Sequence, residues 1–333
     1  MRALIVRSPH DVALGIVDDP VVGKDEVLVV PLLAGMCGTD IELIDGSIDP
    51  AYVHYPLILG HEWVGRVEDD VPGVAARGDR VVVEGVIPCG TCDQCRIDAT
   101  NRCTTYDEIG FTRPGAIAEH IAVPTRLVHR IDDSLNLDDV VLIEPMAVVW
   151  RALTRFPLRQ HMRVAVVGDG TIALLAVHLV RRFNPARVVV VGRRKAQAPL
   201  AKVAGANEFV IVEPDDHFDL VIEAAGTGAA ASTAISLADR GAMVILLGLP
   251  AHGTRIDVAP DDLVNNDIVI QGSFAYTKTS FAEVVELMNV GDLKPSFLIT
   301  HRFTLEQAVD AIGALRGDVA DDEPRGKVVI SLT

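Results

Sequence analysis

Three residues far apart in the chain are of types that bind a divalent metal. They are Cys37 in Gly35-Met36-Cys37-Gly38-Thr39-Asp40, His61 in Leu59-Gly60-His61-Glu62-Trp63-Val64-Gly65, and Glu144 in Ile143-Glu144-Pro145-Met146-Ala147-Val148. A thiolate, an imidazole and one or two carboxylates (Glu144, Glu62) can hold a zinc ion and leave one coordination position open for water or substrate. Taken singly, each has a bland reading. A lone Cys is a small buried hydrophobe, and a His-Glu pair is a satisfied surface pair. A second set is more compact: Cys89, Cys92, Cys95 and Cys103 follow a C-x2-C-x2-C-x7-C spacing. Four thiolates on a tight loop close a tetrahedral site around zinc, with no position left for chemistry. Disulfides or redox cysteines are the alternative, but the adjacent x2 spacings would strain two separate disulfides.

A third signal is a glycine turn. Met162-Arg163-Val164-Ala165-Val166-Val167 reads as a buried strand, and Leu174 to Phe183 reads as a helix. Between them stands Gly168-Asp169-Gly170-Thr171-Ile172-Ala173, which in this strand-turn-helix context predicts a dinucleotide site. Gly168 permits the tight turn, Gly170 lets backbone approach a pyrophosphate, and Ala173 lets the helix sit close. Thr171 and Ile172 open the helix whose N–H groups would face the phosphates. Asp169 is unexpected beside phosphate and is expected to point away. The next strand, Arg187 to Val191, ends at Gly192-Arg193-Arg194-Lys195. An NAD site would place Asp or Glu near 192 to accept from the ribose 2′-OH. Glycine followed by cations favours a 2′-phosphate on Arg193 and Arg194, hence NADP, with NAD still admissible. The alternative is that these cations merely open the next helix from a solvated face.

The elements that must position these groups change character along the chain. Residues 1–150 read as short strands such as Val27-Leu28-Val29-Val30 and Arg80-Val81-Val82-Val83, punctuated by Gly and Pro, which fits a barrel-like β domain. Residues 151–273 alternate strands and helices. Expected helices lie near 196–205 and 228–239, and expected strands at 209–211, 218–224, 242–248 and 267–270. Repeated β-α units imply a doubly wound parallel sheet. The strand ends at Gly226 and Gly248 are expected to line the nicotinamide side. Residues 138–156 turn helical while carrying Glu144, which would put the zinc near the junction of two domains, where ligands usually bind. Amphipathic helices follow at 281–288 and 305–312, within a third segment of 274–333.

Composition narrows the function. With 333 residues, two domains are expected. A net charge of -16 argues against a nucleic-acid partner, whose footprint is basic. No apolar run approaches membrane-spanning length, and the N-terminus has no long apolar stretch of a secretory signal. Five cysteines, four of them clustered, point to a reducing cytoplasm rather than a disulfide framework.

The ordered set Cys-Gly-Thr-Asp, Gly-His-Glu-x-x-Gly, four clustered cysteines and Glu-Pro-x-Ala-Val resembles the zinc-dependent medium-chain dehydrogenase/reductase family over nearly the whole chain. The resemblance implies a GroES-like β-barrel catalytic domain beside a Rossmann domain, with residues 274–333 returning to the first. It implies a catalytic zinc at Cys37, His61 and Glu144, with Glu62 beside the metal as a ligand in some members. It also implies a structural zinc lobe near 89–103, hence two zinc ions per chain, and a homodimer or homotetramer. Glu at 144 resembles the polyol, sugar and threonine dehydrogenases more than the simple alcohol dehydrogenases. Thr39 matches the hydroxyl that relays the alcohol proton. Glu42 stands where many relatives have His, which argues against a threonine substrate and against a relay ending on histidine. The expected function is a zinc-dependent oxidoreductase, NADP-preferring, acting on a secondary alcohol or ketone of a polyol, sugar or cyclitol, aminocyclitols included. A threonine or simple-alcohol dehydrogenase is the alternative, as is a zinc-free reductase on the same fold. A non-catalytic NADP-binding protein is the rival of another class.

Overall fold

Valine-rich, glycine-punctuated segments of the first 130 residues form strands, and the longer periodic runs after residue 137 form helices, in a computed structural model that describes residues 1–317 and 322–332. The chain divides into two compact units. One is Met1–Glu144 with Thr277–Ala320 and Lys327–Thr333; the other is Pro145–Tyr276 with Asp321–Gly326. The expected junctions are 150 and 273, with all of 274–333 in the first unit; the observed division instead groups 321–326 with the second.

In the first unit the long strand Glu26–Met36 is the organiser. Glu62–Val67 pairs with it antiparallel on one side, and Lys327–Ser331 on the other. The sheet runs Val128–Arg130, Arg80–Val83, Glu62–Val67, Glu26–Met36, Lys327–Ser331, Ile299–Thr304, with Ile121–Pro124 pairing to the outer part of Glu26–Met36. A smaller sheet joins Asp11–Ile16, Arg2–Ser8 and Leu57–Ile58. Alternating residues of both contribute to one core, including Leu4, Val29, Met36, Trp63, Val81 and Ile121. This is the GroES-like barrel that the resemblance implied.

In the second unit six strands lie in the order Glu208–Val210, Arg187–Val191, Arg163–Val167, Phe218–Glu223, Ala238–Leu246, Val269–Gly272, all parallel. The order reverses beside Arg163–Val167, as in a Rossmann sheet. Central strands are apolar on both faces because helices cover both, and Val164, Ala165, Val188, Val189, Leu220 and Val221 are fully buried. Some boundaries differ from the expected ones for local reasons. The helix expected at 228–239 stops at Ser236, because Ala238 already begins the next strand. The helical stretch 138–156 is two helices, Leu137–Val140 and Ile143–Thr154. Pro145 sits in the first turn of the second, where no N–H is required of it. Among the described residues no helix is long and apolar enough to cross a membrane.

Candidate metal centres and cofactor turn

The strand Glu26–Met36 delivers Cys37 to the start of the helix Gly38–Asp45. Cys37 caps that helix: its sulfur accepts from the Thr39 N–H at 3.3 Å, and the Asp40 carboxylate accepts from the Cys37 N–H at 2.9 Å. The paired strand places Glu62 opposite Gly35. A Cβ on Gly35 would lie 2.7 Å from Glu62 Oε2, so glycine makes the room that this carboxylate fills. Gly60 adopts φ 106° and would collide with Ile117 if it carried a side chain. The turn into His61 therefore needs glycine on two counts. The outcome is Cys37 Sγ at 3.1 Å from His61 Nε2. Donor atoms of Cys37, His61 and Glu62 all lie within 4.8 Å of one another.

The charges around this cluster decide what it can hold. Asp40 and Glu62 are buried, and Glu62 pairs with Lys327, whose Nζ donates to Glu62 Oε2 and, at 3.0 Å, to the Met36 carbonyl. Burial raises the Asp40 carboxyl above its ordinary value. Burial and the neighbouring Glu62 push Glu144 up to about 8. Burial disfavours charged His61, but the Cys37 sulfur and Asp40 outweigh it and hold the imidazole well above its usual value. Burial leads the shifts of the two carboxyls and neighbouring anions that of His61, so each group leans toward taking up a proton. A divalent cation supplies positive charge in place of that proton, and thiolate, imidazole and carboxylate suit zinc. His61 Nδ1 and Asp40 Oδ1, 3.6 Å apart, have no hydrogen-bond partner among the described residues. A metal on Nε2 would leave the Nδ1 proton facing Asp40, the outer-shell arrangement that fixes a histidine ligand.

Of the expected residues, Cys37, His61 and Glu62 come together, and Glu144 lies outside their 4.8 Å set. Glu144 opens the helix Ile143–Thr154, and its charge acts on His61. Thr39 is half-buried in the first turn beside the Cys37 sulfur. Glu42 is half-buried on the same helix, its carboxyl raised by burial. Phe111 packs against His61 in a tilted arrangement, ring centroids 5.2 Å apart. Sequence reasoning missed three groups. Asp40 belongs to the capping box of Gly38–Asp45 and also faces His61 at 3.6 Å, which its place beside Cys37 does not signal. Lys327 heads an apolar strand some 265 positions from Glu62, so no local spacing could signal it. Glu108 is a third: burial pushes it up to about 7, with the His61 charge acting against this.

The four cysteines converge as their spacing implied. Sulfur separations are 3.9 Å for Cys89–Cys95, 3.5 Å for Cys92–Cys95 and 3.9 Å for Cys92–Cys103. A tetrahedron with Zn–S bonds of about 2.3 Å has edges of roughly 3.8 Å, whereas a disulfide needs about 2.05 Å; the distances fit the metal. Backbone N–H groups of Thr91 and Cys92 hold the Cys89 thiol down to about 5, while burial and the other thiols push Cys95 up to about 12. Four thiolates cannot coexist here without a cation. Stripping zinc with a chelator, or the substitution Cys103→Ser, is expected to lower the melting temperature and open the lobe to protease, because the metal's binding free energy is folding free energy. Differential scanning calorimetry and protease nicking within 89–103 would check it.

The glycine turn has the shape of a phosphate cradle. Gly168 takes φ 129°, and a Cβ there would lie 3.0 Å from the Ala224 backbone. Gly170 caps the helix Thr171–Val180, with open space where its Cβ would be. Thr171 and Ile172 form the first turn, half-buried. This open cradle at a helix N-terminus fits a dinucleotide pyrophosphate. Two other glycines have packing reasons of their own. A Cβ on Gly248 would lie 2.2 Å from the Gly226 nitrogen, and one on Gly192 would lie 2.4 Å from the Phe209 ring. The turn after Val191 has no carboxylate of its own in sequence, Gly192-Arg193-Arg194-Lys195, but one reaches it from the glycine turn. Asp169 supplies one: its Oδ2 accepts from the N–H groups of Arg193 and Arg194, both at 2.9 Å, and its Oδ1 accepts from Arg194 Nη2 at 2.8 Å. Arg194 is thereby engaged within the protein, and Arg193 and Lys195 are exposed.

Comparison with known proteins adds to this geometry. Residues 23–133 match the alcohol dehydrogenase GroES-like domain family, and residues 171–289 match the zinc-binding dehydrogenase family. Sorbitol dehydrogenase of Bacillus subtilis is 29% identical, covering 94% of this chain and 92% of its own. L-threonine 3-dehydrogenase of Anaeromyxobacter sp. (strain K) is 28% identical, covering 99% and 98%. Among solved structures, a zinc-binding dehydrogenase from Sinorhizobium meliloti bound to NADP superposes with a TM-score of 0.91 at 27% identity, covering 99% of each chain. An alcohol dehydrogenase from Escherichia coli complexed with NADH gives 0.90 at 26%, covering 100% of this chain and 99% of that one.

Proposed function

Because this chain belongs to the zinc-dependent medium-chain dehydrogenase/reductase family, we propose that it moves a hydride between a nicotinamide dinucleotide, NADP(H) in preference to NAD(H), and a secondary alcohol or ketone of a polyol, sugar or cyclitol. The observation that carries the reading is the buried anionic cluster of Cys37, His61 and Glu62, with donor atoms within 4.8 Å of one another. When bound, zinc supplies a Lewis acid for the substrate oxygen and the nicotinamide accepts the hydride. The chain's own groups do the rest. Cys37, His61 and either Glu62 or Glu144 hold the metal, and Lys327 balances the charge of Glu62. Oxidation also releases the alcohol proton, and in this reading the hydroxyl of Thr39, the residue whose N–H bonds the Cys37 sulfur, passes it on. Phe111 packs against the His61 ring at a tilt. Gly170 and the helix it caps receive the pyrophosphate, and Arg193 with Lys195 draws a 2′-phosphate.

A polyhydroxylated substrate is supported by the sorbitol dehydrogenase relative and by glutamate at position 144. Glu42 stands against threonine despite the threonine dehydrogenase relatives. Self-association belongs to the same reading. Among the described residues the strand Val269–Gly272 pairs on one side only, and Val264, Leu249 and Phe274 near it are 80%, 71% and 53% exposed. An unpaired edge with apolar neighbours suits a second copy of the chain.

The test is the initial rate at 340 nm over polyols, aldoses, cyclitols and their ketones, each with NADP and NAD. Turnover of a polyhydroxylated compound is the expected result. Turnover of threonine or simple alcohols alone would overturn the substrate class. A rate higher with NAD would overturn the cofactor preference and leave the zinc chemistry intact. Silence across the panel from zinc-loaded protein would favour a non-catalytic dinucleotide-binding role.

A further inference from the structure

We propose that Asp169 is a specificity-determining residue for the cofactor: its carboxylate is an internal anion seated on the donors that a 2′-phosphate would use, and it restrains the preference for NADP. This rests on the reading of the turn after Val191 as the adenosine-ribose site.

The observation is a carboxylate where the strand itself supplies none. A side chain on Gly192 would meet the Phe209 ring at 2.4 Å, so an acidic residue at the strand end would have to displace that ring. Gly192 has no side chain, and Asp169 comes across from the neighbouring turn; a Cβ on Gly192 would sit 3.0 Å from the Asp169 Cβ. Two successive N–H groups, of Arg193 and Arg194, converge at 2.9 Å on a single oxygen, Asp169 Oδ2. Convergent backbone N–H groups of this kind form an anion nest. The other oxygen takes the Arg194 guanidinium in a two-pronged contact, Nη2 at 2.8 Å and Nε at 3.2 Å.

The carboxylate is held in place rather than free to swing. The fully buried Gln197 donates to the Asp169 carbonyl at 2.5 Å and exchanges hydrogen bonds with the backbone of Arg325, at 2.8 and 2.7 Å. The Asp169 side chain is 12% exposed. Burial by itself would raise its carboxyl, but Arg194 and the two N–H groups overcome this and keep it below the ordinary value, so it is charged at neutral pH. A 2′-phosphate drawn in by exposed Arg193 and Lys195 therefore meets a fixed negative charge, one arginine already neutralised, and two N–H donors already used. The ribose 2′-hydroxyl of NAD carries no charge and meets no such opposition.

The test is equilibrium binding, by calorimetry, of NADP and NAD and of the fragments 2′,5′-ADP and 5′-AMP, to the zinc-loaded wild type and to Asp169→Asn. Asparagine keeps the shape and removes the charge. The expected result is a roughly ten- to hundred-fold tighter binding of NADP and 2′,5′-ADP, with NAD and 5′-AMP changed less than about three-fold. Arg194→Gln, which leaves Asp169 on its two N–H groups but uncompensated, is expected to weaken NADP while sparing NAD. Unchanged NADP affinity in properly folded Asp169→Asn, or an equal loss for all four ligands, would overturn the proposal. If Asp169→Asn fails to fold, an unaltered NADP-to-NAD ratio in Arg194→Gln would overturn it instead. The wild-type ratio tests the NADP preference separately. A wild type that binds NAD more tightly would sink that preference, and the shift between variants would still decide the role of Asp169.

Discussion

Cys37→Ser is expected to lower kcat/KM by roughly a thousand-fold or more, since the Lewis-acid contribution of a zinc ion amounts to several kcal/mol in the transition state. Serine is chosen over alanine for a structural reason. Cys37 caps the helix Gly38–Asp45 through its side chain, and serine is a good N-cap whereas alanine would cost about 1 kcal/mol. Serine thus removes the thiolate while sparing the cap. Zinc content by plasma emission spectroscopy should fall by one ion per chain, and the ion in the four-cysteine lobe should remain. The melting temperature should move little. Retained activity with both ions present would show that Cys37 is not a ligand. Lost activity with both ions retained would separate the residue's role from metal binding.

Lys327→Met is expected to destabilise the first unit by about 3–5 kcal/mol, the cost of leaving one charge of a buried pair unpaired. Lys327 and Glu62 have side chains 2% and 3% exposed, so neither can turn to water. Burial alone would lower the lysine pKa, but Glu62 and Cys37 more than offset it and raise it. A raised lysine contributes stability that is complete below its unfolded value near 10.4 and lost only as pH rises through the folded value. The deficit in the variant should therefore be constant across neutral pH. Adding Glu62→Gln to Lys327→Met should restore much of the loss, because two neutral groups then replace a lone charge. Urea unfolding of the two single variants and the double variant measures this. Additive losses would mean that the pair is not coupled.

Local chemistry was legible where covalent neighbours do the work. The four cysteines lie within fifteen positions, so their spacing alone limits how their sulfurs can meet. The strand, glycine turn and helix around Gly168 form one continuous segment. Cys37, His61, Glu62 and Glu144 point to a metal only as an ordered set, since each alone has a bland reading. What spacing could not convey is which distant groups share a low-dielectric space. Lys327 meets Glu62 because the last strand inserts beside Glu26–Met36, and Asp40 meets His61 because neighbouring strands align their ends. Gly192 reads in sequence as a missing carboxylate. In three dimensions it is a glycine packed under the Phe209 ring, with a carboxylate supplied by Asp169 from another strand's turn. Sequence determined the kinds of chemistry available, because residue type sets which ions and phosphates can be bound. Only tertiary structure decided the balance of charge around each site, because electrostatic partners are chosen by proximity across strands rather than along the chain.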